Sequence, residues 1–215
     1  MTLISYRLET QLLWLDKGIL ALLLSLGVVV IIVFLARLAV LSRSVGDIDK
    51  RKKSMLREMS SDAENQLSPA PNDDRTIAGR IMSMGIKHER LEPEAIEKLF
   101  EIQASEEKRR LEQWVSFLGT VGATAPFLGL TGTVVGILIA FGKLAEVNGQ
   151  GNSAVLSSIS SALIATLVGL VVAIPSVVFH NVLRIRIKEI LEKSQELRNL
   201  FLVRSLNSTL SKFKP

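Results

Sequence analysis

The hydroxyl side chains of Thr120, Thr124, Thr131, Thr133, Ser160, Ser161 and Thr166 all lie in long stretches free of Asp, Glu, Lys and Arg. A hydroxyl in apolar surroundings has two uses. It can donate to the carbonyl one turn back on its own helix, the common fate of an isolated threonine. It can also offer hydrogen bonds to an ion or water moving along a narrow path. Thr133 lies on a seam of small residues and Thr166 directly follows another, so these two could face an interior path. Other chemistry is scarce. The absence of cysteine removes disulfides and thiolate metal sites. His88 and His180 are the only histidines, too few for a His-based catalytic or metal cluster. His180 reads as a polar residue at a membrane interface, with a gate as the lesser alternative. No nucleophile, base or metal set is visible, so neither an enzyme nor a bound cofactor is expected.

The elements that position these hydroxyls follow from the distribution of charge. Uncharged runs occupy residues 18–36, 114–142 and 147–183. A helix crosses a hydrocarbon core of about 30 Å with roughly 20 apolar residues, and soluble helices seldom stay uncharged for so long. Spans are therefore expected at 18–36, 114–142 and 157–183. The mean hydropathy of +0.34 would not by itself distinguish this chain from a soluble one. Asp16 beside Lys17, in place of a basic cluster, argues that the first span is retained and is not a cleaved signal peptide.

Basic residues set the expected orientation. Arg37, Arg43, Lys50, Arg51, Lys52 and Lys53 follow the first span, Lys108, Arg109 and Arg110 precede the second, and Arg184, Arg186 and Lys188 follow the third. The positive-inside rule puts segment 1–17 and the short loop 143–156 outside, and segments 37–113 and 184–215 in the cytoplasm. The net charge of +5 is read as topology and contact with anionic lipid, not as nucleic-acid binding. The cytoplasmic parts look helical. Leu38, Leu41, Val45, Ile48, Met55 and Met59 keep helical spacing broken only at Lys52, and Leu183, Ile187, Ile190, Leu197 and Phe201 do the same after the third span. A polar stretch containing Pro69 and Pro71 reads as a loop. A further helix is expected to start near Pro93 and run unbroken into the second span. The class is thus an all-α integral membrane protein with three transmembrane helices, spans two and three being extended by long cytoplasmic helices.

The second and third spans do not look like lipid-facing helices. Gly119, Gly122, Pro126, Gly129, Thr133, Gly136 and Ala140 form a seam of small residues and proline on the second. Ser158, Ala162, Ala165, Gly169, Ala173 and Ser176 form a small-residue stripe on the third. Lipid provides no hydrophobic drive for helix association, so close backbone approach over small residues substitutes for it. Pro126 and Pro175 each remove a backbone hydrogen bond and are expected to bend their helices. With no charge inside any span, a titrating carboxylate for ion transport would have to come from a partner.

The stretch APFLGLTGTVVGILIAF and, after a short loop, ISSALIATLVGLVVAIPSVVFHNVL resemble the ExbB/TolQ branch of the MotA/TolQ/ExbB proton-channel family. The likeness is specific over about residues 118–183, and elsewhere it rests on layout. It implies an inner-membrane homopentamer whose second and third spans surround a channel. That channel would hold two single-span ExbD- or TolR-like subunits. Proton flow past an aspartate on those subunits would drive motion passed to a TonB- or TolA-like periplasmic protein. The family's two pore threonines fall on Thr133 and Thr166, and its AIP proline on Pro175. Many members carry a glutamate at the position of Ser161, so here either the partner's aspartate suffices or the ion or its coupling differs. The competing reading is an oligomeric membrane scaffold that conducts nothing, with its threonines back-bonded.

Overall fold

The computed structural model describes residues 2–60, 76–88, 91–146 and 152–212. These form five helices: α1 (Thr2–Ser60), α2 (Ile77–Lys87), α3 (Pro93–Glu112), α4 (Val115–Glu146) and α5 (Asn152–Lys212). The expected loop with Pro69 and Pro71, residues 147–151 of the 143–156 connection, and the side chains of Met59 and Glu146 lie outside the described residues. Helices α1, α4 and α5 are long and apolar enough to cross a membrane. The chain divides into two compact units. One contains residues 1–35 and 114–181, and the other residues 36–113 and 182–215, so α1 and α5 contribute to both.

In the first unit the core is built from small and medium side chains: Leu23 and Val30 of α1, Val121 and Ala125 of α4, and Val172 and Ala173 of α5. Larger apolar groups point outward, among them Phe127, Val134 and Phe141 of α4 and Leu163, Leu167 and Ile174 of α5. That inversion suits helices whose outer surface meets apolar surroundings and whose contacts depend on close backbone approach. Phe34 of α1 stacks on Phe179 of α5 with ring centroids 3.9 Å apart and planes 8° from parallel.

The second unit follows the rules of a protein in water. Leu41, Ile48 and Met55 of α1 and Leu183, Ile187, Ile190, Leu197 and Phe201 of α5 are all buried. Lys52 breaks the α1 stripe and forms an ion pair with Glu196 at 2.5 Å. Lys193 lies between Asp49 at 2.7 Å and Glu189 at 3.3 Å, a second cross-link of α1 to α5. The hydrogen bonds to Asp49 and, next, to Glu189 hold the Lys193 ammonium above the ordinary lysine range against the opposing effect of burial. Hydrogen bonds from Arg186 and Lys193 hold the Glu189 carboxyl below the ordinary carboxylate range. A raised lysine stabilises the fold below its unfolded pKa of about 10.4, and a depressed glutamate stabilises it above about 4.3. This cross-link should therefore be complete at neutral pH. It should weaken below about pH 4.3 as Glu189 takes a proton, and above about pH 10.4 as Lys193 loses one. Backbone hydrogen exchange in residues 48–55, followed as a function of pH in wild type and Lys193→Met, checks this. The variant should exchange faster at pH 7, lose the alkaline limb and keep a reduced acid limb, because Arg186 still bonds Glu189.

The short helix α2 lies within the stretch read from sequence only as part of segment 37–113. Its start is fixed by Thr76, whose hydroxyl accepts from the Gly79 amide at 3.0 Å. Its buried face is Ile77, Ala78, Ile81, Met82 and Gly85. A Cβ on Gly85 would lie 2.6 Å from the Phe201 ring, so a glycine is needed for α5 to pack there. Arg80 of α2 grips Glu107 of α3 with two bonds, Nε to Oε1 at 2.6 Å and Nη2 to Oε2 at 2.7 Å. Glu107 is only 4% exposed. Arg80→Ala would strand that buried carboxylate with Arg110 at 3.5 Å as its remaining cation, and should cost about 2–3 kcal/mol. Replacing both partners, Arg80→Met with Glu107→Leu, should cost less than the single change. Thermal unfolding of the three proteins makes the comparison.

One expectation about α3 does not hold. The helix starting at Pro93 stops at Glu112, Gln113 is extended, and Trp114 adopts φ 68° before α4 begins. A bulky residue at positive φ is a genuine outlier. The position has a physical logic, because Glu112 is the last charge before 30 uncharged residues. Backbone groups freed by the link can be met by water there, which would be impossible a few turns into the apolar run. α3 and the second span are thus two separate helices.

Candidate functional site

The sequence places its seam residues where α4 and α5 run side by side, and the glycines set how close they come. A Cβ on Gly129 would lie 2.9 Å from the Ala165 carbonyl oxygen and 3.0 Å from the Thr166 Cα. On Gly169 it would lie 2.8 Å from the Ala125 carbonyl oxygen and 3.1 Å from the Gly129 Cα. These are backbone-to-backbone approaches that no side chain can yield to. On Gly136 it would run into the Ala162 Cβ, and on Gly122 it would meet the Val177 Cγ2 at 2.6 Å. Ser158, Ala162, Ala165, Gly169, Ala173 and Ser176 of α5 are all buried.

The buried face of α4 keeps Gly122, Gly129, Gly136 and Ala140 of the seam read in the sequence and is one residue out of phase at positions 126 and 133. Ala125, Gly129, Gly132, Val135, Gly136 and Ile139 are buried, while Pro126 and Thr133 are half-buried. Gly132, not singled out from the sequence, belongs to the contact: its Cβ would lie 2.5 Å from that of Ala165. The signal was present in GLTGTVVG, where Gly129, Gly132 and Gly136 keep steps of three and four. Pro126 and Pro175, the latter also half-buried, both sit inside continuous helices.

The hydroxyls divide into two kinds. Those of Thr120, Thr124, Thr131 and Ser160 donate to the carbonyl four residues back on their own helix, at 2.8–3.1 Å. Thr133 donates to Leu130, three residues back, at 2.7 Å. Thr166 differs. Its hydroxyl crosses from α5 to the carbonyl of Gly129 on α4 at 3.1 Å, which the glycine pair makes reachable. In each case the proton is committed and the oxygen lone pairs remain as acceptors. Thr133 and Thr166 therefore come to neighbouring levels of one seam without bonding each other, and Ser161 is exposed on α5.

Polar contacts close the seam at its two ends. Lys143 donates to the buried Ser158 hydroxyl at 2.9 Å. At the other end the His180 Nδ1 lies 2.9 Å from the carbonyl of Val115, the first residue of α4. The imidazole rests over Gly119, where a Cβ would come within 3.0 Å of its Cε1. The chemistry open to this seam is hydrogen bonding by hydroxyls and one imidazole. Among the described residues no three His, Cys, Asp or Glu side chains are grouped to hold a metal ion.

A profile describing the MotA/TolQ/ExbB proton channel family matches residues 73–196, more than half of the chain and the whole of the α4–α5 seam. The chain belongs to that family. Named relatives place it in the ExbB/TolQ branch. It is 42% identical over 88 residues to the Tol-Pal system protein TolQ of Pseudomonas aeruginosa, covering 41% of this chain and 38% of that protein. It is 32% identical over 146 residues to the biopolymer transport protein ExbB of Pseudomonas putida, covering 64% and 42%. A putative biopolymer transport protein ExbB-like 2 of Helicobacter pylori is 39% identical over 89 residues, 40% of this chain and 59% of that one. The chain thus spans 38–59% of the length of these ExbB/TolQ relatives.

Proposed function

We propose that this ExbB/TolQ-branch chain is the ring-forming stator subunit of a motor driven by an ion-motive force. Several copies, a pentamer by analogy with the family, surround a path lined by α4 and α5. Thr133 and Thr166 offer hydroxyl oxygens along it, and Ser161 occupies the place where many relatives carry a glutamate. The observation that carries this reading is a mismatch. The family is one of proton channels, yet residues 18–36, 115–142 and 152–183 contain no carboxylate. The group that binds and releases the ion must then come from another chain, a single-span ExbD- or TolR-like subunit with an aspartate in its span. Movement of that partner would do work on a TonB- or TolA-like protein outside. The chain would lie in a bacterial inner membrane with its N-terminus outside and segments 37–113 and 184–215 in the cytoplasm, where their basic residues favour anionic lipid.

A specific observation favours the scaffold alternative: the Thr133 proton is committed to its own helix and the Thr166 proton to packing. Proton uptake into native membrane vesicles separates the two readings. Vesicles carrying the chain should dissipate an imposed pH gradient faster than vesicles from a deletion strain, and the complex extracted in detergent should have the mass of a pentamer with smaller subunits. Equal rates, or a stable monomer of 23.6 kDa, would remove the motor reading.

A further inference from the structure

The apolar parts of the three spanning helices contain one titratable side chain between them. Residues 18–36, 115–142 and 152–183 include no Asp, Glu, Lys, Arg, Cys or Tyr, and a single histidine, His180. An ionisable group at such a place is costly unless it is paired or has a function.

Its surroundings are specific. A carbonyl oxygen only accepts, so the contact with Val115 at 2.9 Å puts the proton of the neutral ring on Nδ1, and among the described residues none takes up the Nε2 lone pair. The Cε1 side of the ring abuts Gly119, where a Cβ would approach Cε1 at 3.0 Å, Nδ1 at 3.1 Å and Nε2 at 3.4 Å, so a larger residue would push it away. Its neighbour Phe179 is stacked on Phe34. Consecutive residues of α5 thereby hold α1 on one side and the first turn of α4 on the other. The imidazole itself is only partly buried. Neither α4 over 115–142 nor α1 over 18–36 presents a charge to it. The nearest charges along the chains are Arg37 on α1, Glu112 before α4, and Arg184 one turn further on α5. Along α5, His180 follows Thr166 by about 21 Å of helix rise.

We propose that His180 is a second proton-binding station on the ion pathway, a role that rests on the channel reading above. Nε2 takes a proton from a carboxylic acid of the partner helix or from hydronium, leaving carboxylate or water and an imidazolium. The imidazolium then gives that proton to water and returns to the neutral form. Throughout, Nδ1–H stays on the Val115 carbonyl, so the ring changes charge without changing place.

Two measurements test this. In the first, the full chain carrying His88→Gln is labelled with nitrogen-15 histidine and held in nanodiscs, so that only His180 reports. Lowering the pH from about 8 to 5, the interval in which histidine acts as a switch, should convert its unprotonated Nε2 signal to the protonated form while the Nδ1–H signal persists. A spectrum unchanged over that interval overturns the proposal. The second compares proton flux in native vesicles from wild type, His180→Gln and a deletion strain. The glutamine amide can still donate to Val115 but cannot carry a proton, so flux should fall to near the deletion level while the assembled complex remains. Wild-type flux above the deletion, matched by His180→Gln at every pH, removes His180 alone. Wild-type flux no higher than the deletion removes the channel reading and this station with it. Should the variant fail to assemble, wild-type flux measured over the same pH interval must follow the nitrogen-15 transition of His180, and a flux profile that does not follow it overturns the proposal.

Discussion

Thr133→Val should lower ion-driven proton flux by tenfold or more with little change in stability, and Thr166→Val should do the same at a modest structural cost. The two threonines are chemically alike and structurally different, which gives the pair its diagnostic value. The Thr133 hydroxyl bonds only within its own helix among the described contacts, so valine removes a back-bond that contributes little. A flux defect there cannot be attributed to lost packing. Thr166 carries a bond between helices, and such bonds inside membranes average about 0.6 kcal/mol. Since about 1.4 kcal/mol corresponds to a factor of ten in an equilibrium, the lost bond alone cannot produce a tenfold loss of assembled complex. Thr166→Ser, which keeps the hydroxyl, should retain most of the flux. If both valine variants conduct normally once corrected for the amount of complex, the two hydroxyls are structural and Thr133 and Thr166 drop out of the ion path.

The positions where sequence and structure agree or part can be traced to particular residues. Three uncharged runs were sufficient to mark α1, α4 and α5, because a helix facing water rarely goes so long without a charge. The α5 stripe from Ser158 to Ser176 was legible since every member is small. The α4 seam was read about one residue out of phase at Pro126 and Thr133, where Ala125 and Gly132 are the buried positions. Both registers alternate steps of three and four and share Gly129 and Gly136, so spacing alone does not choose between them; the close approach of Gly132 to Ala165 does. Helix α2 is absent from the sequence reading although its signal was there, with Thr76 as N-cap and Ile77, Ala78, Ile81, Met82 and Gly85 at helical spacing; its tertiary anchors, Phe201 and Glu107, are far away in the sequence. The break at Trp114 was hidden because nothing in residue type announces a tryptophan at positive φ. Most instructive is Thr166. No pattern distinguishes a hydroxyl that bonds back from one that crosses to a neighbour, since the outcome depends on whether Gly129 and Gly169 let two backbones meet.

That meeting is the point of greatest sensitivity, and substitutions along it should differ in sign. Placing alanine for glycine in an exposed helix normally stabilises by about 0.5–1 kcal/mol through lower chain entropy. Gly18 and Gly142 have nothing within 4 Å of the added methyl, so Gly18→Ala and Gly142→Ala should be neutral or slightly stabilising. Gly129→Ala should instead destabilise by about 3 kcal/mol, at the upper end for overpacking, because its Cβ would fall 2.9 Å from a carbonyl oxygen and 3.0 Å from a Cα. Those atoms are backbone, so no truncation of a facing side chain relieves the clash. Gly136→Ala differs again, because the atom its new methyl meets first is the methyl of Ala162. Combining it with Ala162→Gly should recover much of the loss, the coupling expected of residues in direct contact. Thermal unfolding of the purified complexes in detergent gives the order, with Gly129→Ala least stable, Gly136→Ala next, the double variant closer to wild type, and Gly142→Ala at or above it. A Gly129→Ala complex as stable as the Gly142→Ala one would mean that α4 and α5 do not approach as closely as the seam requires. The interhelical bond of Thr166 would then have no basis.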